Sequence, residues 1–239
     1  MKLYFVRHGQ SKNNYMYIKN QSYRGRVADP EITDVGQQQM TLSGQFLKSC
    51  LFGGKTNNGI QPWDNKKTNG FLYCSLLERS IQSGVILSEQ LGLPLMVNVD
   101  IHENGGMFDY YEENNERIGR PGRTKKEILE KYPNLIMSDG INSGSWWNKP
   151  FEDMEKSRMR AFRLIDELNE NHSNPNDHVI WVSHGDFYNT FLQCLISIKR
   201  DDVWFDMYNG AVTLIEFESD GIKIVFDNYF GFLPDNLIT

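Results

Sequence analysis

Residues 2–9 read KLYFVRHG and residues 178–185 read HVIWVSHG, so two short apolar runs end in the same His-Gly pair. Runs of this length that are rich in branched and aromatic residues predict β-strands. The second run is continuously apolar, which is typical of a strand covered on both faces and central in a parallel sheet. Because ligands of open α/β sheets bind outside the carboxyl ends of strands, we expect His8 and His184 to meet at one edge.

Outward from these two segments, strands alternate with helices along most of the chain. Further strands are predicted over residues 71–74, 95–99, 211–217 and 222–226, and helices over residues 33–52, 78–91, 124–132, 151–171 and 186–198. Thr33 is a candidate N-cap, and Thr124 forms a capping box with Glu127. The alternation predicts a three-layer α/β/α fold with a mostly parallel central sheet, built as one domain over residues 1–239 with inserted loops.

Three stretches show no clear period and are predicted as loops. Residues 53–70 are polar, residues 105–122 are irregular, and residues 134–149 carry Trp146 and Trp147. The helix over 151–171 is predicted to be amphipathic, and its apolar content comes from Met154, Met159, Phe162, Leu164, Ile165 and Leu168.

The net charge of the chain bears on which classes of molecule it can bind. The 239 residues carry a formal net charge of −6, which disfavours nucleic acid and anionic membrane surfaces as partners. An anionic substrate therefore needs positive charge that is local to its pocket. Three scattered cysteines, a first apolar run too short for a signal peptide and no stretch long enough to span a bilayer predict a cytoplasmic protein. The sequence leaves the oligomeric state open.

A third predicted strand leads into SLLERS at residues 75–80, which places Arg79 in the first turn of a helix at the same sheet edge. A lone histidine after a strand is more often structural than catalytic. Arg7, His8, Arg79 and His184 together offer two guanidinium forks and two imidazoles, a set that suits a phosphoryl group. No spacing typical of metal ligands is present, so the sequence predicts neither a metal nor a cofactor.

Four segments in order resemble the histidine phosphatase superfamily, also called the phosphoglycerate mutase-like family. They are RHGQS at 7–11 with Asn14, DPEIT at 29–33 with Gly36 and Gln39, YCSLLERSIQS at 73–83, and VSHG at 182–185. The resemblance implies the family fold and a covalent mechanism in which His8 attacks phosphorus to give a phosphohistidine. It also implies a set of side chains that hold the phosphoryl group: Arg7, Asn14, Arg79 and His184, with Gln10 and Ser11 as secondary contacts.

A general acid is needed because an alkoxide leaves poorly unless it is protonated. The family places this carboxylate after the third parallel strand, where Glu103 is the best match. Asp100 and Asp109 are the rival carboxylates, and His102 is expected to be a neighbour without a chemical role.

The segment after the acid bears on the outcome of the reaction. Glycolytic mutases of the family carry ERHYGxLxGxNK there, whereas this chain reads ENGGMFDYY at residues 103–111. This departure favours a phosphoric monoester hydrolase of the histidine acid phosphatase type over a mutase. A run of basic side chains further on is predicted to be a solvated face: Arg117, Arg120, Arg123, Lys125 and Lys126.

Several alternatives stay open from the sequence. The substrate is either a small-molecule phosphate ester or a phosphoprotein. A mutase and a phosphoprotein-binding module remain as further functions. Trp146 and Trp147 either line the pocket or pack on the long helix that follows Pro150.

Overall fold

The computed structural model describes residues 1–52, 69–137, 144–198 and 202–239. The strands are β1 (Lys2–Arg7), β2 (Asn69–Cys74), β3 (Leu95–Val97), β4 (Phe108–Tyr111), β5 (Glu116–Gly119), β6 (Asp177–Ser183), β7 (Val212–Glu218) and β8 (Gly221–Tyr229). The helices are α1 (Lys12–Asn20), α2 (Asp34–Phe52), α3 (Glu78–Leu91), α4 (Lys125–Lys131), α5 (Met154–Asn171) and α6 (Gly185–Leu195). In the described parts of the chain, no helix is long and apolar enough to cross a membrane.

Six strands form the central sheet in the order β3-β2-β6-β1-β7-β8. The first four are mutually parallel, and β7 and β8 are antiparallel to their neighbours. Strand β6 is buried along its whole length, as its continuous apolar run predicts. The mostly parallel α/β sheet expected from the sequence is thereby confirmed.

The pleat of β1 divides its side chains between two hydrophobic cores. Tyr4 and Val6 belong to the core shared with α2 and α3, whereas Leu3 and Phe5 belong to the core shared with α5 and α6. Alternation with period two places successive side chains on opposite faces of a sheet. Both faces of the sheet are therefore covered, which makes the three layers.

Helix starts follow the predicted caps closely. Thr33 precedes α2, and its hydroxyl accepts the amide of Gly36 at 3.1 Å. Thr124 forms the expected capping box with Glu127 at the start of α4. Helix α5 begins later than predicted because Asp153 accepts the amide of Lys156 and fixes the start at Met154.

Residues 105–122 were expected to be a loop, and this prediction is wrong in its centre, where β4 and β5 form an antiparallel hairpin. Gly105 and Gly106 have φ of +87° and +70° and turn the chain into β4, a conformation that glycine adopts readily. Two four-residue strands are too short to show a period in the sequence. The predicted loop over 53–70 lies outside the described residues up to residue 68, and residues 69–70 belong to β2.

Helix α1 has no counterpart among the predicted elements. It contains no buried residue, so no apolar stripe marks it in the sequence. Its start is fixed instead by a capping box between Ser11 and Asn14.

Helix α5 buries only part of its apolar content, and polar side chains share its buried face. Met154, Met159 and Phe162 are exposed by 47 %, 65 % and 52 %, and they line an open groove of about 520 Å³. The buried side chains of the helix are Ser157, Arg160, Ala161, Leu164 and Leu168. Two polar side chains of α5, Ser157 and Arg160, therefore point inward, toward the loop after β3.

Candidate active site

His8 and His184 lie side by side at the carboxyl edge of the sheet. Each follows the last residue of its strand, and the register pairs Arg7 with Ser183 in the adjacent parallel strands β1 and β6. The two imidazole rings are 5.1 Å apart between centroids, and both side chains are buried. The two His-Gly pairs therefore converge on one pocket.

Hydrogen bonds fix the tautomer of His8. Its Nδ1 lies 2.8 Å from the carbonyl oxygen of Gly9, which can only accept, so Nδ1 carries the hydrogen. The lone pair is then on Nε2, where it accepts Nε–H of Arg79 at 3.0 Å. Burial, followed by the charges of Arg79 and Arg7, holds the pKa of His8 well below its usual range. His8 is thus a neutral imidazole with its lone pair facing a guanidinium.

Arg79 is held by the start of α3. The preceding residue, Glu78, donates its backbone amide to the carboxylate of Asp29 at 2.7 Å, so a remote side chain caps the helix. Glu78 is itself buried and ion-paired with Arg123, which precedes α4, and with Lys131 at the end of α4. Arg79 therefore extends into the pocket from a helix turn that is fixed by the Asp29 cap and by the ion pairs of Glu78.

The tautomer of His184 follows from Ser75. The Ser75 hydroxyl lies 2.7 Å from Nε2 of His184 and is 3.4 Å from the donating amide of Leu77. Nε2 is the one acceptor that the described residues offer to the Ser75 hydroxyl, so its hydrogen is directed to Nε2. His184 then carries its own hydrogen on Nδ1. Burial, then Arg79, holds the pKa of His184 well below its usual range.

Two buried donors of the site have no hydrogen-bond partner in the described structure. They are Nδ1 of His184 and Nε of Arg7. Arg7 is held by a bond from Nη1 to the carbonyl oxygen of Met207. Buried polar groups are nearly always paired, so these two donors indicate a ligand with acceptor oxygens. A tetrahedral oxyanion beside His8 would satisfy both.

Glu103 enters this pocket from the loop after β3. Its Oε1 accepts the backbone amides of Asn104 and Phe187, both at 2.9 Å. Phe187 lies in the first turn of α6, so the carboxyl group sits at the start of the helix that follows His184. Burial, reinforced by the negative charge of Asp186, raises the pKa of Glu103 to about 7. The second oxygen, Oε2, is left to carry a proton.

Arg160 of α5 holds the loop that carries Glu103. Its Nη1 donates to the carbonyl oxygens of Asp100 and His102, and its other nitrogens form a bidentate pair with Glu152 at 2.9 and 2.7 Å. Planar forks of this kind set geometry as well as energy. This buried arginine explains why the inward face of α5 is polar.

The rival carboxylates are engaged elsewhere. Asp100 pairs with Arg163 at 2.8 Å, and Asp109 pairs with Arg120 at 2.5 Å. His102 is buried, and its Nδ1 lies 2.8 Å from the carbonyl oxygen of Glu103. The described residues contain no group of three or more histidine, cysteine, aspartate or glutamate side chains able to hold a metal ion.

Gln10, Ser11 and Asn14 form hydrogen bonds to other groups of the protein. Gln10 accepts the hydroxyl of Thr33 at 2.7 Å, and Ser11 donates its hydroxyl to Oδ1 of Asn14 at 2.7 Å. Asn14 also accepts the amide of Ser11, so its oxygen is used inward and its Nδ2 group is the part able to meet a ligand.

Gly9 is required by a close approach of two backbones. A Cβ atom at this position would lie 2.4 Å from the carbonyl oxygen of Gly36, and a Cβ atom at Gly36 would lie 2.4 Å from that of Gln10. The start of α2 is thus packed directly against the loop that carries His8.

The basic side chains over residues 117–126 are mostly exposed, as predicted for a solvated face, and Arg123 is the exception. Arg123 pairs with buried Glu78, and Arg120 pairs with Asp109, whereas Arg117, Lys125 and Lys126 are exposed or half-buried.

Trp146 and Trp147 are both buried in the core on the α2 and α3 side of the sheet. Trp147 lies 4.9 Å from the ring of His102 and covers Gly106, while Trp146 covers Gly122. The two tryptophans therefore pack against His102, in the loop that carries Glu103.

Three residues near the site were not predicted to have a role: Ser75, Arg160 and Asn209. Asn209 donates to the carbonyl oxygen of His8 at 3.0 Å and approaches Asn14 at 3.4 Å. Its own amide donates to Thr239 at 2.9 Å. Ser75 is part of the third motif segment, so a signal for it existed. The others lie in stretches without a motif.

The sheet, the paired histidines and the buried guanidinium groups together define an α/β protein with a candidate oxyanion site at the carboxyl edge. The family model described as the histidine phosphatase superfamily (branch 1) matches residues 3–229. The chain belongs to this superfamily. A comparison with curated proteins finds no match.

Solved structures of the same fold cover nearly the whole chain. A putative alpha-ribazole-5'-P phosphatase from Escherichia coli is 17 % identical, with a TM-score of 0.59 over 96 % of this chain and 97 % of its own. Bacillus stearothermophilus YhfR is 16 % identical, with a TM-score of 0.61 and coverage of 97 % and 98 %. A mycobacterial glucosyl-3-phosphoglycerate phosphatase, in complex with inorganic phosphate, is 17 % identical, with a TM-score of 0.58 and coverage of 98 % and 99 %. Likeness at this identity establishes the shared fold.

Proposed function

We propose that the protein is a metal-independent phosphomonoester hydrolase that works through a phosphohistidine on His8. The observation that carries the proposal is the Nε2 lone pair of His8, which faces Arg79 beside two unpaired buried donors. A neutral imidazole that is already oriented through its other nitrogen is ready to act as a nucleophile.

The first step forms a bond between Nε2 of His8 and phosphorus and breaks the bond between phosphorus and the ester oxygen. Glu103 gives its proton to that oxygen, so the product leaves as an alcohol. In the second step a water molecule attacks phosphorus, the N–P bond breaks, and Glu103 takes the proton from the water. Inorganic phosphate leaves, and both side chains return to their starting states.

Charge on the transferring group is held by the side chains around it. Arg79 turns from His8 to the phosphoryl oxygens, while Nε of Arg7 and Nδ1 of His184 supply the two unpaired donors. Asn14 adds its Nδ2 group. Donors that are fixed before the reaction stabilise the developing charge without reorganisation.

Hydrolysis of small-molecule esters is the outcome that the surroundings favour. The β4–β5 hairpin contacts the segment after α1, where Ser22 donates to Glu112 at 3.0 Å and Tyr23 packs edge-on against Tyr110 at 6.0 Å. A hairpin joined in this way to the segment after α1 suits a small phosphate ester better than a folded phosphoprotein. The phosphatase names of two structural neighbours support the same choice.

We also propose that residues 1–239 act as a single catalytic domain. The site draws its groups from β1, α3, the loop after β3, and α6, and Asn209 supports His8 from before β7.

Phosphate release from p-nitrophenyl phosphate and a panel of natural phosphomonoesters, measured with EDTA present, tests the proposal. We expect turnover, a radiolabelled phosphoenzyme trapped by alkaline denaturation, and loss of both in His8→Ala by roughly a thousandfold or more. His172→Ala, at the far end of α5, is the matched control and keeps its activity. A folded His8→Ala protein with full turnover would sink the mechanism.

A further inference from the structure

The loop that carries His8 is held by two buried amide side chains from distant parts of the chain. Nδ2 of Asn209, just before β7, donates to the carbonyl oxygen of His8 at 3.0 Å. Oε1 of Gln39, in α2, accepts the backbone amide of Gln10 at 2.7 Å. Both side chains are buried. The nucleophile therefore lies in a loop whose backbone is fixed on either side of Gly9.

The same two amides are joined to each other through Thr239. Nε2 of Gln39 donates to the hydroxyl of Thr239 at 2.8 Å, and that hydroxyl donates to Oδ1 of Asn209 at 3.4 Å. The main-chain oxygen of Thr239 also accepts the backbone amide of Asn209 at 2.9 Å. The bonds close a ring that runs from the His8 loop through both amides and Thr239.

Groups that can only accept fix the direction of the bonds in this ring. The carbonyl oxygen of Leu237 accepts Nε2 of Gln39 at 2.7 Å, so the NH₂ group of Gln39 is turned toward Thr239. The carbonyl oxygen of His8 likewise requires the NH₂ group of Asn209, whose oxygen is then left for Thr239. Both amides thus have one orientation that satisfies all of their neighbours.

Gly210 fixes the place of Asn209 against β1 and α2. Its amide donates to the carbonyl oxygen of Arg7 at 3.1 Å, and its carbonyl oxygen accepts the hydroxyl of Ser43 at 2.6 Å. Its φ of +75° is one that glycine adopts readily, and a Cβ atom there would lie 3.0 Å from Cβ of Gln39. The backbone before β7 is therefore packed directly onto the helix that carries Gln39.

Asn209 also reaches a side chain of the proposed phosphoryl site. Its Nδ2 lies 3.4 Å from Oδ1 of Asn14, the oxygen that accepts the amide and hydroxyl of Ser11. These donors hold the oxygen of Asn14 inward, which leaves its Nδ2 group for a ligand. One NH₂ group of Asn209 thus contacts both the backbone of the nucleophile and an amide expected to bind phosphate.

We propose that Asn209 is a positioning residue of the phosphohistidine reaction and that Thr239, itself oriented by Gln39, holds Asn209 in its working orientation. The inference rests on the proposed hydrolase function. Asn209 acts through the backbone of His8 and through the amide of Asn14, without touching the phosphoryl group. A side chain at position 239 thereby influences chemistry at position 8.

Asn209→Asp tests the positioning role, because it keeps the shape of the side chain and replaces the donor by an acceptor. On p-nitrophenyl phosphate we expect kcat/KM to fall by roughly 100-fold, the effect of a small displacement of a reacting group. KM should rise, because the Asn14 amide is no longer held. A merely structural role would reduce the number of active molecules and would leave KM unchanged.

Asn189→Asp is the matched control. Asn189 is an equally buried amide in α6, and its Oδ1 accepts the backbone amide of Phe205 at 2.9 Å. The same chemical change there should leave KM unchanged.

A second pair of variants keeps the test independent of how well Asn209→Asp folds. Thr239→Val removes the hydroxyl and keeps the shape, and we expect kcat/KM to fall by about 3- to 10-fold, as for one lost neutral hydrogen bond. Thr239→Ser keeps the hydroxyl and should restore activity to within about twofold of the wild type. The two variants differ in the bond to Asn209, so the comparison isolates it.

The outcomes separate this inference from the hydrolase function. Equal activity in Thr239→Val and Thr239→Ser, or an unchanged KM in folded Asn209→Asp, would overturn the positioning role alone. Absence of p-nitrophenyl phosphate hydrolysis by the wild type would overturn the hydrolase function and the positioning role with it.

Discussion

Arg79 donates Nε–H to Nε2 of His8 across 3.0 Å, so the guanidinium group occupies the lone pair that must attack phosphorus. A dianionic phosphoryl group is a stronger acceptor than a neutral imidazole. Substrate oxygens will therefore draw Arg79 away and free the nucleophile at the moment of binding. In the proposed mechanism, Arg79 thus both protects the resting imidazole and holds the substrate.

Arg79→Lys should lower kcat/KM by about 100-fold or more, although the charge is retained. Lysine offers a point charge, and it lacks the fork that reaches His8 and two phosphoryl oxygens. Steady-state kinetics on p-nitrophenyl phosphate measures the effect. Arg163→Lys, at an exposed ion pair with Asp100, is the control and should change activity less than twofold. Unchanged turnover in Arg79→Lys would contradict the fork geometry.

Activity on esters with poor leaving groups should fall as pH rises through about 7. The raised pKa of Glu103 keeps its carboxyl group protonated below that value, and the acid is lost above it. The lowered pKa of His8 leaves the nucleophile neutral on the acid side, so no acid limb is expected near pH 6.5. The pH profile of kcat/KM for an alkyl phosphate provides the measurement.

Glu103→Gln should remove that descending limb and lower kcat/KM for alkyl phosphates by roughly 10²- to 10⁴-fold, while kcat/KM for activated aryl phosphates falls much less, since kcat/KM excludes the water step that Glu103 also assists. Aryl leaving groups depart without a proton, so they serve as the internal control. Equal losses on both substrate classes would move the acid role to another residue.

Ser75→Ala should lower kcat by about tenfold, with little change in thermal stability. The hydroxyl of Ser75 directs the hydrogen of His184 to Nδ1, and without it the other tautomer becomes accessible. Nitrogen-15 NMR of His184 distinguishes the tautomers directly. Ser88→Ala, which removes a hydroxyl at the other end of α3, is the matched variant. An unaltered His184 tautomer in Ser75→Ala would refute this assignment.

Gly9→Ala should destabilise the fold by about 1–3 kcal/mol or more, because the added Cβ meets backbone atoms of Gly36 that no rotamer change can move. Chemical denaturation with the midpoint and slope compared to wild type gives the value. Gly144→Ala is the control, since a Cβ there has no atom within 4 Å. A Gly9→Ala protein as stable as the wild type would show that the two backbones can separate.

The sheet and the nucleophile pocket were accessible from the sequence because their signals are local. Strand β6 carries an unbroken apolar run from Val179 to Val182, and such a run is a short-range feature of the sequence. The capping hydroxyls of Thr33 and Thr124 mark helix starts for the same reason. Whole elements with strong local patterns were placed to within a few residues.

The parts that were missed depend on contacts between distant segments. The β4–β5 hairpin is held against Tyr23 and Phe151, and α1 has no buried residue to give it a period. Arg160 and Asn209 reach the site only after the chain has folded. Their roles follow from neighbours far away in sequence, and a motif cannot show them.

The central position of β1 has a consequence for biosynthesis. Both of its partner strands, β6 from Asp177 and β7 from Val212, come late in the chain. A nascent chain on the ribosome therefore carries the apolar run of β1 with neither edge paired while most of the protein is made. Exposed strand edges of this kind invite aggregation and engage chaperones. Products terminated before His184 will lack the second histidine of the proposed site and will be prone to associate.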